Sequence, residues 1–304
     1  ALALRSWGRF DHPRPDRHLG DVALVHGTNY VVPPSRRPRL VTVYDCWALL
    51  NPTQCPPVIN HSMNALRRSI QTGAVVHSSS HATSLTLREL FPQARIETIH
   101  LGAPPRRNIE TSLRPSALTD IGDAPFIVAV GTVEKRKNYR NLVKAFAIAA
   151  HEVPELQLVI AGSDGDDSHE LNQSLELFPK DTAQRIHMIG RVSDENIAWL
   201  YQQATAMAYP SLDEGFGIPI LEAFNNKIPV VTSNTGAMVE VADGAAQHFN
   251  AGDHIKLFEV LNELIISKPA RSYLTEKGSE RLKAFSREVF IKQYEQLILK
   301  SVKN

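Results

Sequence analysis

Five short, nearly all-apolar runs govern what the second half of this chain can fold into: FIVAVG (126–131), LQLVIAG (156–162), RIHMIG (185–190), ATAMAYP (204–210) and IPVVTS (228–233). A strand with one wet face alternates apolar and polar residues. These runs do not alternate, so both of their faces are covered. The stretches between them carry helical periodicity. Leu142, Val143, Phe146 and Ala149 share one face of 139–150. Ser193 stands as a cap before 194–203, with Asp194 and Glu195 in the first turn, where the helix dipole favours them. Buried strands alternating with helices make a doubly wound α/β domain.

The first half repeats this grammar less completely. DVALVHG (21–27), RLVTVYD (39–45), GAVVHSS (73–79) and ARIETIH (94–100) read as strands, with helical stretches near 59–71 and 81–91. Residues 1–20 offer no Val/Ile-rich strand, so this domain is expected to be incomplete, lacking its first β-α units. The Pro- and Arg-rich stretch 101–125 reads as an interdomain linker. At the far end a Ser286 cap precedes Phe290, Tyr294, Leu297 and Ile298 on one helical face. The expected division is a first domain over 1–115, a second over 116–285 and a closing helix over 286–304. A length of 304 residues suits two domains better than one core.

Composition narrows the partners. No apolar run approaches the ~20 residues of a spanning helix. Cys46 and Cys55 form neither a disulfide framework nor a metal-ligand pattern, and no apolar leader follows Arg5 and Arg9. A cytoplasmic protein is expected, and one that begins with alanine reads as part of a longer chain. Charge is lopsided. Residues 1–115 hold 14 arginines, no lysine and 7 acidic residues, while the whole chain carries a net charge of only +1. The first domain is therefore expected to meet something anionic: a membrane surface on the inner face, or a phosphate-bearing acceptor. Nucleic acid is not expected.

Two segments carry chemistry. In YPSLDEGFGIPILEAF (209–224), Glu214 and Glu222 bracket Gly215, Phe216, Gly217 and Pro219. Proline suits a first helical turn, the glycines permit close backbone approach, and a helix start directly after a strand offers free N–H groups to an anion. Glu222 falls within the helix, able to accept hydrogen bonds from sugar hydroxyls. In VGTVEKRKNYRNL (130–142), Gly131 and Thr132 make the turn, and Arg136 and Lys137 sit before a helix with Asn138 as its expected cap. Cations beside a helix N-terminus are unfavourable unless an anion compensates them, and a diphosphate fits.

These segments, with GRVSDENIAWLYQQATAMAYP (190–210) and PVVTSNTGAMVEVADGAA (229–246), resemble the C-terminal half of the family-4 retaining glycosyltransferases, the glycosyl transferases group 1. LVHGTNYVVPP (24–34) and VYD (43–45) resemble parts of that family's first half, with Tyr44 standing where the family has histidine. The resemblance implies the GT-B fold: two Rossmann-like, doubly wound parallel-sheet domains facing a cleft. It implies transfer of a sugar, mannose-like by default, from a nucleotide-diphosphate donor to the hydroxyl of a glycan or lipid-linked glycan, in polysaccharide synthesis. By the same resemblance Arg136 and Lys137 hold the diphosphate and Glu214 faces the transferred sugar. Glu222 binds the ribose, and Arg191 and Val192 pass the base. TGAMVE (235–240) approaches the ribose and phosphate. No cofactor or metal is implied.

Other patterns are weaker. Asp164 and Asp166 in SDGDD (163–167) form a DxD spacing, read as a solvated acidic loop in a domain already supplied with cations. His77, His81 and His100 lack helical metal-site spacing. Strand-end packing and a site role remain open for Tyr44 and Asp45. A non-catalytic nucleotide-sugar-binding module, or a nucleotide-sugar epimerase of the same fold, are the alternatives.

Overall fold

The computed structural model describes residues 2–106 and 110–303. They form two compact units. The first comprises Ala1–Gly102, Glu214–Phe216 and Phe285–Asn304, the second Ala103–Asp213 and Gly217–Ala284.

The first unit is a four-stranded parallel sheet of β1 (Val25–Gly27), β2 (Arg39–Val43), β3 (Val75–Ser78) and β4 (Ile96–Thr98), in that spatial order. Side chains alternate across it as strand geometry requires. Val41, Val43 and Val76 enter a core with Leu66 and Leu87 from the helices Pro57–Gln71 and His81–Leu90. Leu40 and Val75 point the other way, onto Leu297 of the closing helix Arg287–Val302, whose Ser286 side chain caps it by accepting from Val289 N–H. The closing helix thus belongs to the first unit. Among the described residues, 2–20 contain no strand, as the sequence indicates, but they do contain a helix, Leu2–Phe10, packed on Pro57–Gln71.

The second unit is a six-stranded parallel sheet. Its strands are β5 (Phe126–Val130), β6 (Gln157–Ala161), β7 (Ile186–Gly190), β8 (Ala206–Tyr209), β9 (Val230–Ser233) and β10 (Gln247–Phe249). Their spatial order is β10-β9-β8-β5-β6-β7, the Rossmann winding. All five apolar runs are strands here, as expected. β10 is an addition: an edge strand reading QHF, with too little apolar character to stand out. Helices Tyr139–Glu152 and His254–Ile266 bury Leu142, Val143, Phe146, Leu257, Leu261 and Leu264 in the core. Ser193 caps Asp194–Gln203 in a reciprocal box with Asn196.

Part of the stretch read as a linker packs on this unit. Leu113 exchanges hydrogen bonds with Glu195 and Asn196, and the Arg114 guanidinium lies 4.9 Å from the Trp199 ring centre. The first of the chain's passages between the compact units falls at Gly102/Ala103.

Candidate functional site

The order of the second sheet reverses between β5 and β8, and in such folds ligands bind at the carboxyl ends of the strands that flank the reversal. From the end of β5 the chain passes through Gly131–Thr132 into the tight turn Lys135–Lys137. Gly131 has φ +145°, and a Cβ there would stand 3.3 Å from Lys137 Cε. Lys137 is buried, and its Nζ lies 3.3 Å from the Tyr209 hydroxyl at the end of β8. Arg136 donates through Nε to Glu134 at 2.7 Å and through a terminal nitrogen to the Asp213 carbonyl at 3.5 Å. Its own carbonyl accepts from Leu212 N–H at 2.7 Å. The basic turn is thereby fixed to the loop after β8 from both main chain and side chain.

Asn138 corrects one expectation. It precedes the helix Tyr139–Glu152, but its side chain makes no capping bond. It sits in the left-handed region at φ 58°, which asparagine tolerates better than most residues. Its amide donates to the carbonyls of Pro210 and Ala251 at 3.1 and 2.7 Å. The residue ties the basic turn to two other loops.

After β8 the chain enters the helix Ile218–Asn225, with Gly217 at its N-terminus at φ 102° and Pro219 in the first turn, as the sequence indicates. Glu222 accepts from the buried Tyr201 hydroxyl at 3.1 Å. It also lines a cavity of about 360 Å³ together with Asp194, Glu195, Thr111 and Arg106. Three carboxylates in the lining suit a ligand's hydroxyls better than its phosphates. Arg191 and Val192 come directly after β7, Arg191 exposed and Val192 half-buried.

Glu214, Gly215 and Phe216 group with the first unit. Gly215 is glycine for a reason internal to the protein: a Cβ there would fall 1.8 Å from the Tyr44 carbonyl oxygen. The Gly215 carbonyl accepts from Ser79 Oγ and Thr83 Oγ1, each at 3.2 Å. The buried Phe216 ring meets Phe285 edge-on, centroids 5.7 Å apart. Glu214 is half-buried.

The acidic loop is more than solvated surface. Asp164 and Asp166 are exposed, but Asp166 accepts from Lys135 N–H at 2.8 Å, and the buried Asp167 pairs with Arg140 at 3.0 Å. The loop buttresses the basic turn. His77 is a buried sheet residue whose Nε2–H donates to the Ile99 carbonyl. Tyr201, Tyr209 and Glu134 were not singled out in the sequence. A tyrosine ending an apolar strand, as Tyr209 does, was the available signal.

Residues 116–281 match the family model for glycosyl transferases group 1, more than half of the chain. The chain belongs to this family. It is an enzyme, a glycosyltransferase. It is 28% identical over 275 residues to the O-antigen chain mannosyltransferase B of Escherichia coli, covering 87% of this chain and 71% of that protein. Among solved structures it is similar to a sucrose-phosphate synthase from Thermosynechococcus elongatus (22% identity, TM-score 0.72, covering 91% of this chain and 73% of that one). It is also similar to Anabaena HepE in complex with UDP and glucose (19% identity, TM-score 0.71, covering 87% of this chain and 72% of that one). These likenesses establish the GT-B fold for the glycosyltransferase. No helix among its described residues is long and apolar enough to cross a membrane.

Proposed function

We propose that this glycosyltransferase moves a hexose, by default mannose, from a nucleoside-diphosphate sugar to a hydroxyl of a glycan or lipid-linked glycan in polysaccharide synthesis. The anomeric configuration is retained and no metal takes part. One observation carries the reading: Arg136 and Lys137 are pinned at the reversal between β5 and β8, beside Tyr209. The name of the Escherichia coli relative supports the sugar and the pathway class, and the UDP and glucose in HepE support the donor class.

In this reading the bond from the anomeric carbon to the donor phosphate breaks with little help from a nucleophile. Negative charge grows on the leaving diphosphate, where the guanidinium of Arg136, the ammonium of Lys137 and the helix start at Gly217 stabilise it. The acceptor oxygen bonds to the same face of the sugar and passes its proton to the leaving phosphate oxygen, so no separate base is needed. Glu222 accepts from ribose hydroxyls, Glu214 orients the sugar, and the backbone of Gly131–Thr132 faces the phosphates. Gly215 and Phe216 hold the loop in place. Arg191 and Val192 border the base.

The test is a panel of radiolabelled nucleoside-diphosphate sugars offered to the full chain with glycan and lipid-linked glycan acceptors, the product's anomeric configuration being read by NMR. Transfer with retention is expected. An inverted product overturns the mechanism, and donor hydrolysis with every acceptor overturns the transferase assignment to glycans.

A further inference from the structure

The helices Leu2–Phe10 and Pro57–Gln71 of the first unit pack closely where Gly8 meets Asn64 and Ala65. A Cβ at Gly8 would already lie 3.0 Å from Asn64 Cβ and 3.1 Å from Ala65 N. Beside this contact is a cleft of about 360 Å³ walled by Arg5, Arg9, His61, Asn64, Arg67 and Arg68. Four arginines therefore line one concavity, and its wall includes no acidic residue.

The neighbours of these arginines do not neutralise them. Arg5 Nε donates to the ring nitrogen His61 Nε2 at 2.9 Å. Arg67 donates to the Leu49 carbonyl at 3.2 Å and stacks its cation 5.8 Å from the Phe91 ring centre. Arg9 lies 5.1 Å from the Phe10 ring centre. The Nε of Arg68 is shielded from solvent and has no hydrogen-bond partner. Other arginines of the same unit behave differently: Arg14 and Arg39 pair with Asp11, and Arg37 pairs with Asp21. Among the described residues no salt bridge involves the four arginines of the cleft.

Like charges gathered in a concavity repel unless an anion sits among them, and a shielded guanidinium N–H without an acceptor carries a desolvation penalty. Guanidinium forks match phosphate oxygens in pairs. We propose that this cleft is a binding site for a phosphate group, separate from the diphosphate-binding turn of the second unit. The group is carried either by a soluble phosphate compound or by an anionic lipid headgroup.

The test uses the full chain, wild type and the variants Arg5→Gln and Arg68→Gln, with Arg88→Gln as a control. Arg88 is an exposed arginine of the same unit on another helix. Inorganic pyrophosphate is titrated by calorimetry, and binding is measured to vesicles of equal parts phosphatidylglycerol and phosphatidylcholine against pure phosphatidylcholine. UDP affinity is measured in parallel, and thermal melting checks the fold. A pyrophosphate-binding component weakened about tenfold in Arg5→Gln and Arg68→Gln, but not in Arg88→Gln, supports the site with a soluble ligand. The same pattern seen only with anionic vesicles supports it with a lipid headgroup. In both cases UDP affinity stays at the wild-type value, which separates this site from the donor site. Equal binding by all four proteins in both arms, or equal losses in Arg5→Gln and Arg88→Gln, overturns it.

Discussion

Lys137 holds its ammonium 3.3 Å from the Tyr209 hydroxyl, so the residue that ends the turn after β5 meets the residue that ends β8. The ammonium also lies 5.1 Å from the centre of the Tyr209 ring, whose face attracts cations. Lysine seldom becomes this buried without a compensating partner. Hydroxyl and ring hold the charge at the reversal of the sheet. Arg136, bound to Glu134 and to the Asp213 carbonyl, is held by the adjacent loop.

Removing either cation is therefore expected to weaken nucleoside-diphosphate binding by about 1–3 kcal/mol, the scale of a lost charge-assisted hydrogen bond. Calorimetry of UDP and GDP with Arg136→Ala and Lys137→Ala in the full chain measures this. Wild-type affinity in both variants removes the basic turn from the donor site.

Gly162 tests whether the turn is positioned by strand packing. A Cβ at Gly162 would fall 1.9 Å from the Gly131 carbonyl oxygen, so Gly162→Ala must separate the ends of β5 and β6. Overpacking of this kind costs about 1–3 kcal/mol in stability. It should also weaken UDP binding, because Gly131 leads directly into the Arg136–Lys137 turn. Gly252→Ala is the control, its Cβ meeting nothing closer than 3.7 Å. Matching melting temperatures and UDP affinities for the two variants would sink the positioning argument.

The charge arrangement also predicts metal-independent transfer. In the proposed mechanism, arginine, lysine and a helix N-terminus supply the positive charge that a metal would otherwise bring to the donor phosphates. Asp166 and Asp167 meanwhile bond the Lys135 backbone and Arg140. Transfer by the full chain is expected to continue in excess EDTA. Activity that collapses in EDTA and returns with Mn²⁺ would overturn metal independence.

Legibility in the sequence tracks how far each signal depends on local chemistry. Val128 and Val159 are buried on doubly covered strands, and that burial writes itself as uninterrupted apolar runs. Ser193 and Ser286 cap through bonds to residues three positions along, so both helix starts were visible. Arg136 and Lys137 stood out because cations before a helix start are unfavourable without an anion, and Glu222 because it pairs with Glu214 across a glycine-rich helix start. Long-range tasks left weaker marks. Gly215 looked like an approach for ligand, yet its missing side chain makes room for the Tyr44 carbonyl, far away in sequence. Asn138 looked like a cap, yet its amide bonds the carbonyl of Ala251. The helix Leu2–Phe10 was missed because its packing partner lies beyond residue 57.

The first unit should lose stability in acid through one buried ring. His77 on β3 faces the closing helix. Its Nε2–H donates to the Ile99 carbonyl at 3.0 Å, so neutral Nδ1 is the acceptor, 3.3 Å from Thr42 Oγ1. The same Thr42 hydroxyl lies 3.0 Å from both His26 Nε2 and the Tyr294 hydroxyl. Burial pushes the His77 pKa from 6.5 down to about 4, and the neighbouring His26 acts in the same direction. The unfolded chain therefore takes up this proton more readily than the folded one. Stability from His77 is complete above pH 6.5, declines as pH falls toward about 4, and levels off below it. The full loss is up to about 3 kcal/mol. Thermal melting of wild type and His77→Gln between these pH values isolates the contribution. Glutamine can still bond Thr42 and Ile99 but cannot titrate, so the wild-type melting temperature should fall more steeply with acid than the variant's. Parallel curves would mean that His77 stays neutral in both states, or that the ring is not buried against Tyr294.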